Sequence, residues 1–480
     1  WRGAMSPVSC EQTRRAPKAI LAALCALGLL WIGVPRAVAQ KPSSGDAGSS
    51  KRTLTLDQCV QIAVKNNAEI KERQAGVAGA RAMKSQADAA RYPQIDGLAL
   101  LGPSPRARGN QVDSPDDQDN LIVTGAFARG IFSVIQPIFT FGEISGLRSA
   151  AASNIKVESA KVDQKAGEII TKVKEYYYGY LLARDLLSLV EEVKGELDGA
   201  KEKVRKALAR TAEWANEIDL YKLEAFSSTV ESAMAQALKS VRLAMGALKF
   251  TMGLPGDRQI KLADAHIIPD VSRVEKLPFY QERSLKLRPE FRQIREGLKA
   301  LRSLVKVERS KYFPKLFVGA LLDVAEATNR DELNNPFVID PLNHETGGVA
   351  VGFKWHFDFG ITAGRISEAR AEVQKVMHKR TFALQGIPLE IRKAHEEFLE
   401  AEKNIKSTKN SYKFAKKWLV ASIANFDLGI GEAEEIFKAL EQYAKTRAEN
   451  YKQIYAYNMA IANLDRTSGL AMRYINKSRK

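Results

Sequence analysis

The chain has 480 residues, 45% of them apolar and 27% charged, with a formal net charge of +17. That composition supplies enough apolar material for a buried core and excludes an intrinsically disordered chain. The basic balance invites a nucleic-acid reading, but lysines and arginines alternate with acids, as in Glu191-Glu192-Val193-Lys194 and Lys201-Glu202-Lys203. Such alternation marks solvated helix faces.

Residues 1–39 read as a secretory signal. Arg14, Arg15 and Lys18 supply positive charge, Ala19 to Val34 an apolar run, and Ala37-Val38-Ala39 the cleavage pattern before Gln40. Met5 is the expected start, with residues 1–4 upstream of it. Cys25 lies in mid-run behind Ala22-Ala23-Leu24, which is not a lipoprotein box, and no Phe-Leu-Lys follows Arg14-Arg15 as a twin-arginine signal requires. Removing this segment, with its five basic and one acidic residue, leaves +13. Past Gln40 no run of 18 apolar residues occurs, so any membrane contact of the mature chain has to be made by strands. Cys59 is the one cysteine left, which excludes an intrachain disulfide.

After a linker over 40–52, the pattern from Leu54 to Arg91 predicts one helix, amphipathic at Leu56 to Val64 and ended by Tyr92-Pro93. Two strands follow. In them Ile131, Ile135 and Phe139 alternate, Phe132 and Val134 occupy the other face, and Pro137 interrupts the ladder. Beyond Phe141-Gly142 no proline occurs from Ile138 to Leu254, and Tyr176, Ala183, Val190, Leu197 and Val204 recur every seven residues. That is a coiled-coil-like seam. From Gly142 to about Ala209 the rod is about 100 Å long at about 1.5 Å per residue.

The plan then repeats. Ala68-Glu69-Ile70 and Pro93 match Pro289-Glu290-Phe291 and Pro314 at an offset of 221. Phe141-Gly142 with Gly146 matches Phe359-Gly360 with Gly364, and Glu217-Ile218 matches Glu435-Ile436, at 218; Thr251 with Gly253 matches Thr467 with Gly469 at 216. Five landmarks in one order make the chain two copies of one unit. The expected domains are repeat one over 53–256, a connector over 257–284, repeat two over 285–470 and a basic tail over 471–480. Gly386-Ile387-Pro388 falls where Glu168-Ile169-Ile170 sits in the first copy, so a kink or break is expected in the second rod only.

The second strand pair is the clearest. Val349, Val351, Phe353, Trp355, Phe357 and Phe359 point one way, while Gly348, Ala350, Gly352, Lys354, His356 and Asp358 point the other. The partner strand runs Leu316, Val318, Ala320, Leu322, Val324. Period-two alternation with aromatic residues near the end suits a lipid-facing strand. Four strands cannot close around an interior, and hydrocarbon tolerates no open edge, so other subunits have to complete the sheet; three protomers give twelve strands.

The order helix, Tyr-Pro, strand pair, Phe-Gly, long helical hairpin, given twice behind a signal, resembles the TolC-like outer-membrane efflux proteins over Leu54 to Gly469. The fold class implied is mainly α with a small β part: tandem coiled-coil-like hairpins and four strands per protomer, forming a 12-stranded trimeric β-barrel and a periplasmic helical tunnel. The resemblance further implies a homotrimer in outer-membrane lipid that docks on a periplasmic adaptor and an inner-membrane transporter, as the passive exit duct of a tripartite efflux or type I secretion system. Its hairpin tips correspond to Gly429 and Gly431 with Glu435 in copy two and Thr211 with Glu217 in copy one, and they imply adaptor docking there. A non-conducting coiled-coil scaffold of the envelope is the alternative.

The tip of copy two is acidic, with Asp427, Glu432, Glu434 and Glu435, and Glu213, Glu217 and Asp219 stand opposite in copy one. Threefold repetition turns inward-facing carboxylates into rings that favour cations at the entrance; pairing of Glu217 and Glu435 with tip lysines is the other reading. Pro115-Asp116-Asp117 and Asn334-Asn335-Pro336 read as cell-surface turns. His356, His378 and His395 are scattered, and His395-Glu396-Glu397 lacks the second histidine of a zinc helix, so no metal is expected. With no phosphate loop, nucleophile elbow or cysteine pair, no catalytic residue, cofactor or nucleic-acid partner is expected either.

Overall fold

The computed structural model describes residues 53–474 except 111, 117, 118, 211–216, 334, 336 and 429–432, and it leaves out the side chains of residues 207, 427 and 433. The signal and linker readings, Thr211, Glu213, Gly429, Gly431, Glu432 and parts of both surface turns lie outside the described residues.

The duplication is visible in element lengths. Copy one runs α1 (Leu56–Asn66), α2 (Ala68–Ala89), β2 (Gln94–Pro105), β3 (Val123–Phe139), α3 (Glu143–Ala209) and α4 (Glu217–Thr251), with the short strand β1 (Thr53–Leu54) ahead of it. Copy two runs α5 (Leu277–Leu287), α6 (Pro289–Ser310), β5 (Lys315–Ala327), β6 (His344–Lys354), α7 (Ile361–Asp427) and α8 (Ala433–Ser468). The paired helices hold 11 and 11, 22 and 22, 67 and 67, and 35 and 36 residues. The strand β4 (Lys261–Leu262) pairs in parallel with β1.

The helix expected over Leu54 to Arg91 is two helices. Asn67 leaves the helical region at φ −58°, ψ 131°, and its Oδ1 accepts from Glu69 N (2.9 Å) and Ile70 N (3.3 Å), so that it caps α2. Its Nδ2 donates to Thr251 O at 2.9 Å, which ties the break to the end of α4. Copy two breaks at the same place, where Arg288 (φ −66°, ψ 128°) precedes Pro289. Gly253 and Gly469, the matched glycines that end each unit, have φ of +65° and +80°. A Cβ on Gly253 would meet Asn66 O at 2.8 Å, and one on Gly469 would meet the Leu287–Arg288 backbone at 3.0 Å. Both sites therefore demand glycine for conformation and for room.

α3 packs on α2 and α6 near the sheet and on α4 and α8 farther away; α7 packs on α6 and then on α8. The upper core gathers Cys59, Val60, Ile70, Ile169, Val173, Tyr177, Leu181 and Leu248. The lower core joins Leu197 and Val204 of the heptad seam to Leu223, Leu419, Leu440 and Tyr443 from three other helices. Burial pushes the Cys59 thiol up to about 12, which leaves it an inert core side chain.

No break occurs at Pro388. α7 is helical from Ile361 to Asp427 with the proline inside it, so of the expected kink or break the break is excluded. Proline costs a helix interior about 3 kcal/mol. Ile387, Ile391 and Ala394 are buried here with Tyr280 and Leu464, and burying each large apolar side chain returns roughly 1.5–3 kcal/mol. Packing thus outweighs the local cost.

Asn67→Ala removes a cap and strands the buried Thr251 carbonyl. The expected loss is about 2 kcal/mol, seen as a lowered thermal midpoint of the detergent-solubilised protein.

Candidate functional site

The four long strands form one antiparallel sheet in the order β2-β3-β5-β6, hydrogen-bonded continuously across the two copies. The register sorts its side chains. On one face Ile95, Leu101, Phe132, Val134, Val318, Leu322, Val349, Val351 and Phe353 come together. Val349, Val351 and Phe353 are 77%, 69% and 70% exposed, so nothing in the protomer covers them. The opposite face carries all the long strands' paired charges, with Gln94, Asp96, Arg129, Ser133, Asp323, His344 and Thr346 set among Leu98, Leu100, Ile131, Ile135 and Leu321. Arg129 grips Asp323 in a bidentate pair at 2.9 and 2.7 Å, and His344 Nε2 lies 3.4 Å from the same carboxylate. An apolar face bare to solvent and a polar face with paired charges is the inverse of a soluble half-buried sheet.

Two expectations are corrected by this register. In copy one the residues that share the apolar face with Val349 and Val351 are Phe132 and Val134, while Ile131 and Ile135 lie on the polar face. A bulge between Pro137 and Phe139 then turns Phe139 to the apolar side, opposite Leu316. In copy two the strand ends at Lys354, so Trp355, Phe357 and Phe359 lie past it. They stay exposed at the junction with the helices. There Trp355 Nε1 donates to Tyr312 O at 3.0 Å and its ring lies 4.3 Å from Phe357, while Phe141 packs on Phe139 (4.7 Å) and Phe313 (4.9 Å). An aromatic band thus rims one end of the apolar face, as at a membrane–water boundary.

At the far end of the helices the described tip carboxylates have partners. Glu434 meets Lys222 at 3.1 Å and Lys438 at 2.9 Å, and Asp219 lies 3.8 Å from Lys222. Hydrogen bonding from Lys438 first and Lys222 second holds the Glu434 carboxyl below its usual range. Glu435 accepts from Trp418 Nε1 at 2.8 Å, and Tyr221 OH donates to Glu217 at 3.4 Å. Asp427 ends α7. Lys222 links the first hairpin to the second; neither it nor Trp418 stands out in the sequence. The spacing of four between Glu434 and Lys438 signals that pair. Nothing local signals Trp418, 17 residues from Glu435. Asp116 of the first surface turn is held by Arg106 at 2.5 Å, and Asn335 of the second accepts from Phe337 N at 2.9 Å. Among the described residues no three metal-ligating side chains come together, and no helix is long and apolar enough to cross a membrane.

The family model described as outer membrane efflux protein matches residues 59–213, within the first copy. No curated protein matches by sequence. Among solved structures, the transmembrane channel-forming CusC superposes with a TM-score of 0.70 at 18% identity, over 86% of this chain and 92% of its own. The outer membrane protein VceC of Vibrio cholerae does so with 0.68 at 15% identity, over 86% and 96%. The CmeC outer membrane channel of Campylobacter jejuni gives 0.67 at 16%, over 88% and 89%. At these identities the likeness is one of fold. Residues 59–213 thus match the outer membrane efflux protein family, and the chain as a whole has the fold of the outer-membrane efflux channels.

Proposed function

We propose that three copies close a twelve-stranded barrel over a helical tunnel and act as a passive exit duct, without covalent chemistry, for cargo that an inner-membrane transporter delivers through a periplasmic adaptor. The observation that carries this reading is the four-stranded sheet with one bare apolar face and two unpaired edges, β2 and β6, standing on rods about 100 Å long. Joining β6 of one copy to β2 of the next satisfies both edges. The helices offer a matching seam, since α4 and α7 are the outer members of the row α7, α8, α3, α4. Leu243 and Phe250 of α4 are exposed. Efflux and type I secretion both fit this duct.

At the entrance the carboxylates divide by role. Glu434 is neutralised by two lysines and serves as a latch between the hairpins, while Glu435, bonded among the described residues to a neutral indole, keeps its field for a threefold cation-selective ring. By their place in the sequence Asp427, Glu432, Glu217 and Asp219 are assigned to the same acidic mouth, and Thr211, Gly429 and Gly431 to adaptor docking.

Purified protein in a planar bilayer is expected to give discrete conductance steps that favour K⁺ over Cl⁻. Silence under all conditions supports the scaffold alternative. Glu435→Gln is expected to reduce the K⁺ preference, and an unchanged preference removes Glu435 from the bore.

Because the folded pKa of Glu434 is depressed, its latch is present above the ordinary carboxylate range and is lost as pH falls through that lowered value. Conductance should therefore rise only in strong acid, and Glu434→Gln should raise it at neutral pH.

Assembly tests the barrel. Val351→Arg places a charge on the lipid face at a cost of about 2–4 kcal/mol, and the yield of protein folded into vesicles should drop sharply. Thr346→Arg, on the polar face, should fold at close to the normal yield. Equal yields would contradict the assignment of faces.

A further inference from the structure

From Lys403 to Phe426, the end of α7 nearest the tip, the chain carries six lysines and no acidic residue. The same place in copy one, residues 185–208, carries six acidic and five basic residues. Spacings of three and four put Lys406, Lys409, Lys413 and Lys416 on one helix face, and all are exposed. Lys409, Lys413, Lys416 and Lys417 line an open groove of about 750 Å³ floored by Val420 and Ala424. Lys406 pairs with Glu402, and Lys417 lies over the Phe414 ring. Lys416 also borders the cleft that Glu192 and Glu196 of α3 line, where Arg447 already holds Glu192. Lys409 and Lys413 have no carboxylate partner among the described residues.

The hand of the sheet decides whether this face looks into the bore or out of it. Thr328 N donates to Ala126 O, so the residues of β5 on the apolar face bond toward β3. With the apolar face toward the viewer and β5 running upward, the chirality of L-residues then puts β3 to the right and β6 to the left. The helices hang in the same order, α7 below β6 and α3 below β3, with α8 packed between them. On α7, a right-handed helix running down, Ala415, Leu419 and Ser422 are buried on the α8 side, to the right. A turn of about 100° per residue then brings Lys409, Lys413 and Lys416 to the viewer and sends Trp418 and Phe414 to the back. If the apolar face meets lipid, the lysines face the periplasm and the indole faces the bore.

We propose that this lysine strip docks an acidic α-helix of the periplasmic partner, and that it does so on copy two only, at three sites per trimer instead of six. The inference rests on the duct reading for the partner and the trimer. From Lys409 to Ala424 the groove spans about 22 Å, or about four helical turns, and its lysines occupy about the first 12 Å, where carboxylates at matching spacing meet them. The mixed charge of copy one gives such a helix no net attraction, so the choice between the two hairpins is made by charge.

The test uses the full-length protein in detergent and two synthetic helical hairpins, one with glutamates along a single face and one with glutamines in their place. The glutamate hairpin should bind, and its affinity should fall about tenfold between roughly 50 and 300 mM salt. The variant Lys409→Gln, Lys413→Gln, Lys416→Gln, Lys417→Gln should lose at least about tenfold, and the copy-one control Lys194→Gln, Lys201→Gln, Lys203→Gln, Lys206→Gln should lose little. Equal binding of the glutamine hairpin, or an equal loss in the control, overturns the proposal. So does dissociation of the trimer in the first variant, which assigns the strip to the seam between copies, or an altered ion preference, which assigns it to the bore. Absence of conductance in the unmodified protein sinks the duct reading by itself, whatever the hairpins do.

Discussion

The constraint on which the rest depends is that a strand edge cannot stand open in hydrocarbon. Each unpaired backbone group there costs several kcal/mol, and β2 and β6 each present a row of them. A soluble protein covers such an edge with a loop or a charge. Here the faces leave no such option, because from Val349 to Phe353 the side chains of β6 that point away from the polar side are valine and phenylalanine. The sheet is therefore incomplete as a protomer, and the helices share that condition, with apolar side chains bare on the outer members of the row. In the proposed assembly sheet and rods are missing the same neighbour, a further copy of this chain.

Duplication lets one set of lengths serve both halves. Two rods of 67 residues descend side by side from adjacent strand pairs, and two returns of 35 and 36 residues end at glycines pressed against the same helix break. A strand pair that left the sheet at a different height would shift one seam against the other, and the heptad contacts of the lower core would fall out of step. The close match of lengths is what sheet and seam together require. Charge and backbone chemistry were free to diverge, since Gly386-Ile387-Pro388 replaces Glu168-Ile169-Ile170 without interrupting the helix.

What could be read in the sequence depended on whether the signal was local. The rod from Glu143 to Ala209 was legible because a seven-residue apolar spacing held over roughly thirty residues rarely arises outside a packed helical seam. The break at Asn67 was not, because an asparagine in an alanine-rich run looks like an ordinary helical residue until its amide finds Thr251, 184 positions away. The apolar face of copy two was plain from alternation. That of copy one was obscured by apolar residues on both faces, and only the register, with Phe132 beside Leu322 and Val134 beside Ala320 and Val349, places Phe132 and Val134 on the same face as Val349. At the tip the acids were visible and their partners were not, since Lys222 and Trp418 reach Glu434 and Glu435 through the fold.

The tip also shows why net charge describes this chain poorly. Its overall balance of +17 is not spread evenly, because six lysines of one helix segment stand close to a turn rich in acids. Within about one Debye length, roughly 8 to 10 Å, the two fields would cancel; farther apart they act separately. The distance along α7 from Lys416 to Asp427 is about 16 Å at 1.5 Å per residue, beyond that limit. The wall of the rod widens the separation, since Trp418, which meets Glu435, lies on the opposite side of the helix from Lys409 and Lys416. In the proposed duct one helix thus presents a cationic surface to one compartment and stands beside an anionic mouth that opens to another. On that reading the two surfaces act on different charges at once, the outer on a partner and the inner on the ions that pass.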